Sequence, residues 1–234
     1  KTGNISLWSL LMLLAIDTST NWIGLALFDG AQILSEQTWR SQSYHTTELV
    51  PAIEEMLTRT QVRRTDLSGL GIALGPGSFT GLRIGMSVCK GLALALDIPV
   101  AGFPSLDILA AGQPLLRRPM IALLQVGRGR FAWARYINQD KQWVQEGSVQ
   151  VSSPSEIAAT IKSPVYICGE MGVEERRILG RKWITARLCS AAQGLRRPAV
   201  LAEMAWQRLQ AGKADDVVTL SPIYVHTLSN VPDL

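Results

Sequence analysis

Leu74-Gly75-Pro76-Gly77-Ser78-Phe79-Thr80-Gly81-Leu82-Arg83-Ile84-Gly85 joins two segments of different periodicity. Ahead of it, Leu67 to Leu74 is an apolar run of the length expected for a buried strand. Behind it, a helical pattern continues to Leu96. The stretch therefore predicts a strand, a glycine-rich corner and a helix start, with Ser78 or Thr80 available as N-cap. A corner of this kind offers backbone N–H groups and the positive end of a helix dipole, which suits an anion or a closely approaching backbone. The motif alone does not choose between a tight turn and a binding loop, so its surroundings must.

Upstream, Leu13 to Ile16, Trp22 to Phe28 and Ala31 to Trp39 read as three strands, with a hairpin signal at Asp29-Gly30. His45 to Thr60 reads as a helix with Leu49, Val50, Ile53, Met56 and Leu57 on one face. Thr46 or Thr47 is the expected cap, and Pro51 is tolerable in the first turn. Pro99 to Gly102 is a last short strand. The order β-β-β-α-β-α-β is that of a ribonuclease H-like lobe, a mixed sheet with helices packed on it.

A second unit starts near Ser105. Ser105 to Ala111 reads as a helix, and Pro119–Val126, Phe131–Tyr136 and Trp143–Val151 as a meander. Pro154 to Ile161 is a helix capped by Ser153, Val165–Cys168 a strand, and Pro198–Gln210 a long helix. The pattern resembles a shorter repeat of the first lobe. The predicted fold class is thus α/β, two ribonuclease H-like lobes similar to the actin/sugar-kinase/Hsp70 (ASKHA) superfamily. The expected division is a loose extension over 1–11, a first lobe over 12–104 and a second over 105–234. For helix 198–210 a return onto the first lobe stays open.

Of the 234 residues, 47% are hydrophobic and 18% charged, which describes a folded chain with a sizeable core. The net charge is +4, but the basic residues come in short pairs such as Arg63-Arg64, Arg117-Arg118, Arg176-Arg177 and Arg196-Arg197. That spacing favours solvated surface over a nucleic-acid stripe. Three scattered cysteines, Cys89, Cys168 and Cys189, argue for a reducing compartment and against a disulfide frame or zinc site. The two histidines, His45 and His226, stand alone, so no metal site is expected. His45 is expected as a turn or capping residue rather than a base. The apolar run Leu7 to Ile16 is too short to cross a bilayer and lacks a cleavage signal, so the expected location is cytoplasmic, with Met12 a candidate start.

Asp17-Thr18-Ser19-Thr20 follows the first strand. Such a turn either bonds its own backbone or holds phosphate, with the carboxylate on hydrated Mg²⁺. Asp17, Ser19, Gly75, Gly77, Ser78 and Thr80 are therefore candidate residues of a vestigial phosphate site. After residue 130 the glycines are single, and Gly169-Glu170-Met171-Gly172 is a weak match to an adenosine loop. On the second helix, Gly81, Gly85, Cys89 and Ala93 recur every four residues. A small-residue stripe admits another helix closely, either the first helix of the same lobe or a helix pair of another subunit.

LLAIDTST at 13–20, His45 ahead of LVPAIEEML at 49–57, LGPGSFTGLRIGMSVCKGLALALDIPV at 74–100 and the following Pro104-Ser105-Leu106 closely resemble the TsaB (YeaZ) family. The resemblance is dense over 13–112, and GPGSFTGLRIG is specific to the family. It is thinner beyond. Gln125 and Arg130 stand where the family usually has Asp and Glu, and Pro222-Ile223-Tyr224 resembles its terminal Pro-x-Tyr. The resemblance implies a part in making N6-threonylcarbamoyladenosine at position 37 of tRNAs reading ANN codons, with no catalytic residue in this chain. It implies pairing with a catalytic TsaD-type paralogue, a TsaE-type ATPase as a further partner, homodimers through the same helices, indirect contact with tRNA and no membrane. ATP and a metal would belong to the partner subunits. The interface residues expected are Leu49, Ile53 and Met56 on the first helix and Gly81, Arg83, Gly85, Met86, Cys89 and Lys90 on the second. Arg83 and Lys90 would pair with carboxylates at the rim, and Gly85→Trp would block association while leaving the lobe folded.

Two other functions compete. An ATP-dependent enzyme of the ASKHA superfamily would use Asp17 and the Gly75–Gly81 corner and would bind ATP tightly with Mg²⁺. A direct tRNA-binding module would show steeply salt-dependent binding to tRNA by the chain alone.

Overall fold

The computed structural model describes residues 12–41, 45–127, 129–181 and 184–225. The expected extension at 1–11 and His226 lie outside them. The first sheet comprises β1 (Leu13–Asp17), β2 (Trp22–Phe28), β3 (Ile33–Arg40), β4 (Gly69–Gly75) and β5 (Val100–Pro104) in the order β3-β2-β1-β4-β5. The second comprises β6 (Met120–Gly127), β7 (Arg130–Gln139), β8 (Gln142–Ser152), β9 (Val165–Gly169) and β10 (Ala186–Leu188) in the order β10-β9-β6-β7-β8. Read from the other edge, that is the same topology: a meander whose first strand pairs in parallel with the fourth.

Side chains on β1 alternate between two cores, as the pleat requires. Leu14 and Ile16 face α1 (His45–Thr60) and α2 (Phe79–Leu96), while Leu13 and Ala15 face α6 (Pro198–Gln210). The α6 side of the sheet is built from small residues. A Cβ at Gly71 would lie 2.8 Å from the Cβ of Ala205, so the helix rests directly on the strands. The last helix thus belongs to the first sheet. In the opposite sense α3 (Ser105–Ala111), which leaves the first sheet, packs Leu106, Leu109 and Ala110 onto the second. Its Asp107 accepts a 2.6 Å hydrogen bond from the Tyr136 hydroxyl on β7. Each sheet ends in a helix that crosses to the other, and these two crossings tie the lobes together.

The second lobe is more regular than its sequence suggests. Between β9 and α6 lie α5 (Val173–Gly180) and β10, which complete β-β-β-α-β-α-β. The charges of Glu174, Glu175, Arg176 and Arg177 leave α5 only Ile178 and Leu179 to pack on the core, and β10 has three residues; neither gives a usable periodic signal. The helix α4 (Pro154–Thr160) begins at a capping box in which Ser153 and Glu156 each bond the other's backbone N–H.

After α6 the chain returns along the first lobe. Asp215 bridges to Val100 and pairs with Arg208, Lys90 donates to Val218 O, and Ile223 N donates to Leu74 O at 2.7 Å. Tyr224 ends this strap against Phe79, with ring centroids 5.1 Å apart, and Arg83 stacks 3.7 Å over Phe79 while donating to the Tyr224 hydroxyl. By length and composition α2 could cross a bilayer, but Leu82, Met86, Cys89 and Ala93 bury one side of it in the lobe.

Candidate functional site: an interlobe cleft and the outer face of two helices

The glycine corner is shaped by what lies on it. A Cβ at Gly77 would fall 1.9 Å from Ser19 O, one at Gly81 2.3 Å from Thr18 O, and one at Gly85 2.1 Å from Thr18 Oγ1. The turn after β1 is seated on the corner and on the first two turns of α2. Polar groups join the two: Ser78 N donates to Ser19 O at 2.6 Å, and Thr18 Oγ1 donates to Gly81 O at 2.8 Å. Gly75 N donates to Ser105 Oγ, which also contacts Ser19 Oγ at 2.6 Å. Ser78 is the cap of α2, accepting from Gly81 N. The amides that would cradle a phosphate at Gly75 and Ser78 are thus spent within the chain.

Asp17 is engaged as well. Its Oδ1 accepts from Ser19 N and Ser19 Oγ at 2.9 and 2.7 Å, and its Oδ2 accepts from Arg196 Nε at 2.6 Å. The same guanidinium pairs with Glu170 of the second lobe and donates to Thr20 Oγ1 at 3.1 Å; Thr20 Oγ1 donates to Glu170 at 3.0 Å. The side chains of Arg196 and Asp17 are 2% and 4% exposed. Burial lowers a guanidinium's pKa, but the two carboxylates outweigh it and hold Arg196 well above its ordinary value. Removing one member of such a buried pair commonly costs about 3–5 kcal/mol, because the other charge is left without a partner.

The candidate residues of the vestigial phosphate site divide. Asp17, Ser19, Gly75, Gly77 and Ser78 do come together, but Asp17 is ion-paired and the Gly75 and Ser78 amides are engaged within the chain, so the Asp17 carboxylate is not free to hold hydrated Mg²⁺. Thr80 stands apart, exposed on α2. Arg196, expected as solvated surface, is the residue that sequence reasoning missed; nothing distinguishes it from Arg197 beside it except the tertiary fold. Glu170, weighed as part of an adenosine loop, closes the network. His45 opens α1 rather than preceding it, which places Thr46 and Thr47 inside the first turn. Its Nε2 lies 2.9 Å from Thr20 O, and a carbonyl only accepts, so Nε2 carries the proton and the ring is held on the turn.

Thr20 and Glu170 of this network line one part of an open interlobe cleft of about 880 Å³, whose walls also include Trp22, Arg40 and Phe79 on one side and Gln125, Glu175 and Arg176 on the other. Among the described residues no group of three or more His, Cys, Asp or Glu is placed to hold a metal ion.

The expected interface residues divide. Leu49, Ile53 and Met56 are buried, as are Gly81, Gly85, Met86 and Cys89; they face the sheet and the turn after β1 and form no outer surface in this chain. The stripe Gly81–Gly85–Cys89–Ala93 therefore seats the lobe's own turn and core. Arg83 is exposed and Lys90 half-buried, both held by the C-terminal strap. The outward row of α2 runs two residues later, through Arg83, Ser87, Gly91 and Ala95, and a Cβ at Gly91 would meet nothing within 4 Å. Beside it Leu94 is 70% exposed, and on α1 Val50 is 47% exposed. Several members of the basic pairs are matched by acids, as in Arg63–Asp66, Arg64–Glu54, Arg177–Glu174 and Arg197–Glu36.

A family model described as TsaD, tRNA N6-adenosine threonylcarbamoyltransferase, matches residues 32–165. A Bacillus subtilis protein named tRNA threonylcarbamoyladenosine biosynthesis protein TsaB is 30% identical over 220 residues, 91% of this chain and 93% of that protein. The solved structure of YeaZ from Pseudomonas aeruginosa covers 92% of this chain and 99% of its own, with a TM-score of 0.71 at 24% identity, a likeness in fold. Component A of the (R)-2-hydroxyglutaryl-CoA dehydratase of Acidaminococcus fermentans shares the two-lobed arrangement more distantly, at a TM-score of 0.51, 11% identity and coverage of 86% and 99%.

Proposed function

Given that this chain belongs to the TsaB family, whose members take part in tRNA threonylcarbamoyladenosine biosynthesis, we propose that it is a non-catalytic activating subunit. In this reading it binds a TsaD-type paralogue that transfers threonylcarbamoyl to adenosine 37 of tRNAs reading ANN codons. A TsaE-type ATPase joins the pair, ATP and a metal act in those partners, and tRNA is met through them. The site of action is then the cytoplasm.

The observation that carries the reading is the Asp17–Arg196–Glu170 network. A guanidinium sits where an ATP-dependent enzyme of this fold would need a free carboxylate. The acid partners of Arg63, Arg64, Arg177 and Arg197 likewise reduce the free positive charge with which the chain alone would grip tRNA.

The surface proposed for the paralogue is the outward side of α1 and α2: Val50, Arg83, Ser87, Gly91 and Leu94. Small Ser87 and Gly91 let a partner helix come close, while Val50 and Leu94 supply apolar area. A homodimer would use the same face, so the two assemblies exclude one another. Sedimentation of this chain mixed with a TsaD-type paralogue tests this. The reading expects a one-to-one complex that forms at the expense of the homodimer; a paralogue that binds without displacing the homodimer refutes the shared face.

A further inference from the structure

Arg196 lies where the two lobes meet. Asp17 ends a strand of the first sheet, Glu170 follows a strand of the second, and both carboxylates converge on the one guanidinium. Arg196 itself stands on the link between β10 and α6, the helix that crosses back to the first sheet. Two carboxylates brought together from opposite sides of a cleft repel unless a cation stands between them, and with little water present that repulsion is strong. The hydroxyl of Thr20 completes the ring by accepting from Arg196 and donating to Glu170.

We propose that Arg196 is a built-in counter-ion that fills the cation position between Asp17 and Glu170 and holds the two lobes in one relation without any bound ligand. Three features combine to give this. The guanidinium is bonded to both lobes at once, it is buried, and the amides of Gly75 and Ser78 are already engaged, so an incoming phosphate meets neither of those two donors free, and Asp17 is not free to hold a metal ion. In a two-lobed fold whose cleft could open and close, a tethered cation makes one setting permanent. The inference concerns the mechanics of the chain and stands apart from its part in tRNA modification.

The test uses the full chain and two variants, Arg196→Ala and the neutral triple variant Asp17→Asn/Glu170→Gln/Arg196→Ala. Amide hydrogen exchange is followed on peptides spanning 17–22, 169–172 and 194–197, with peptides from β1 and β4 as the core reference. In the wild type, exchange at the cleft is expected to be the same with and without millimolar Mg-ATP. In both variants it is expected to rise at least about tenfold at the cleft while the core reference holds, the mark of a local opening. Millimolar methylguanidinium should restore protection to Arg196→Ala and leave the triple variant unchanged. Should Arg196→Ala fail to fold, the triple variant carries the test, since it leaves no buried charge unpaired. Wild-type protection in the triple variant would show that the crossed helices hold the lobes by themselves and would overturn the proposal. Slower exchange at the wild-type cleft with Mg-ATP would overturn it too, as would a folded Arg196→Ala that methylguanidinium does not restore.

Discussion

Gly85 on α2 and Thr18 in the turn after β1 are in contact at a distance that leaves no room for a side chain: a Cβ on Gly85 would stand 2.1 Å from Thr18 Oγ1. That hydroxyl is fixed by its bond to Gly81 O, so it has no free direction in which to retreat. Gly91, less than two turns further along the same helix, faces open space. Opposite outcomes follow for one substitution. Gly85→Ala should destabilise by about 1–3 kcal/mol through overpacking. Gly91→Ala should stabilise by about 0.5–1 kcal/mol, since alanine is the better helix former. Urea denaturation of the two variants would check both signs.

The same contrast separates folding from association. Gly85→Trp, expected from sequence alone to leave the lobe intact, should instead prevent it from folding. Gly91→Trp and Leu94→Arg should keep the wild-type unfolding midpoint within about 0.5 kcal/mol, as exposed positions usually do. They should nevertheless abolish binding to a TsaD-type paralogue in gel filtration. Full binding by both would move the partner surface away from α2.

Glu36 on β3 anchors the start of α6. It pairs with Arg197 and accepts from Ala199 N at 3.1 Å, supplying a cap that Arg197 at the N-cap position does not. Burial pushes the Glu36 carboxyl up, but Arg197 and the Ala199 amide outweigh it and hold it below its ordinary 4.5. Folded Glu36 therefore binds fewer protons than unfolded Glu36 in mildly acidic solution. Its contribution is complete above about pH 4.5 and is lost as pH falls through the lowered folded value. Urea midpoints between pH 7 and pH 3 should fall less steeply for Glu36→Gln than for the wild type over the acid part of that range. Parallel curves would remove Glu36 from the acid response.

Burial pushes the Cys89 thiol up to about 12 and the Cys168 thiol well above its ordinary value. At pH 8 the Cys89 thiolate fraction is then about one part in ten thousand, and it is the thiolate that alkylates. Iodoacetamide at pH 8 should leave both residues unmodified in the native protein and label both in denaturant, as read by peptide mass spectrometry. Rapid native labelling of Cys89 would mean that α2 lifts from its sheet.

The first lobe was legible because its signals are local. The glycine corner, the Asp29-Gly30 turn and the spacing of Leu49, Ile53 and Met56 each fix an element within a short window, and strand alternation does the rest. The direction of the small-residue stripe was not legible. Helical spacing shows that Gly81, Gly85, Cys89 and Ala93 share a side, but not whether that side meets the chain's own turn or a partner; only the position of Thr18 decides it. In the second lobe α5 hid behind its charges. Arg196 meets Asp17 from 179 positions away, a contact that no local pattern encodes.

The central claim is that this chain assists threonylcarbamoyl transfer without performing it. The most direct measurement is threonylcarbamoyladenosine formed at position 37 of an unmodified tRNA supplied with threonylcarbamoyl-adenylate, with this chain alone, with a TsaD-type paralogue alone, and with both. The account predicts no product from this chain alone and a marked gain when it is added to the paralogue. Product formed by this chain alone would contradict it.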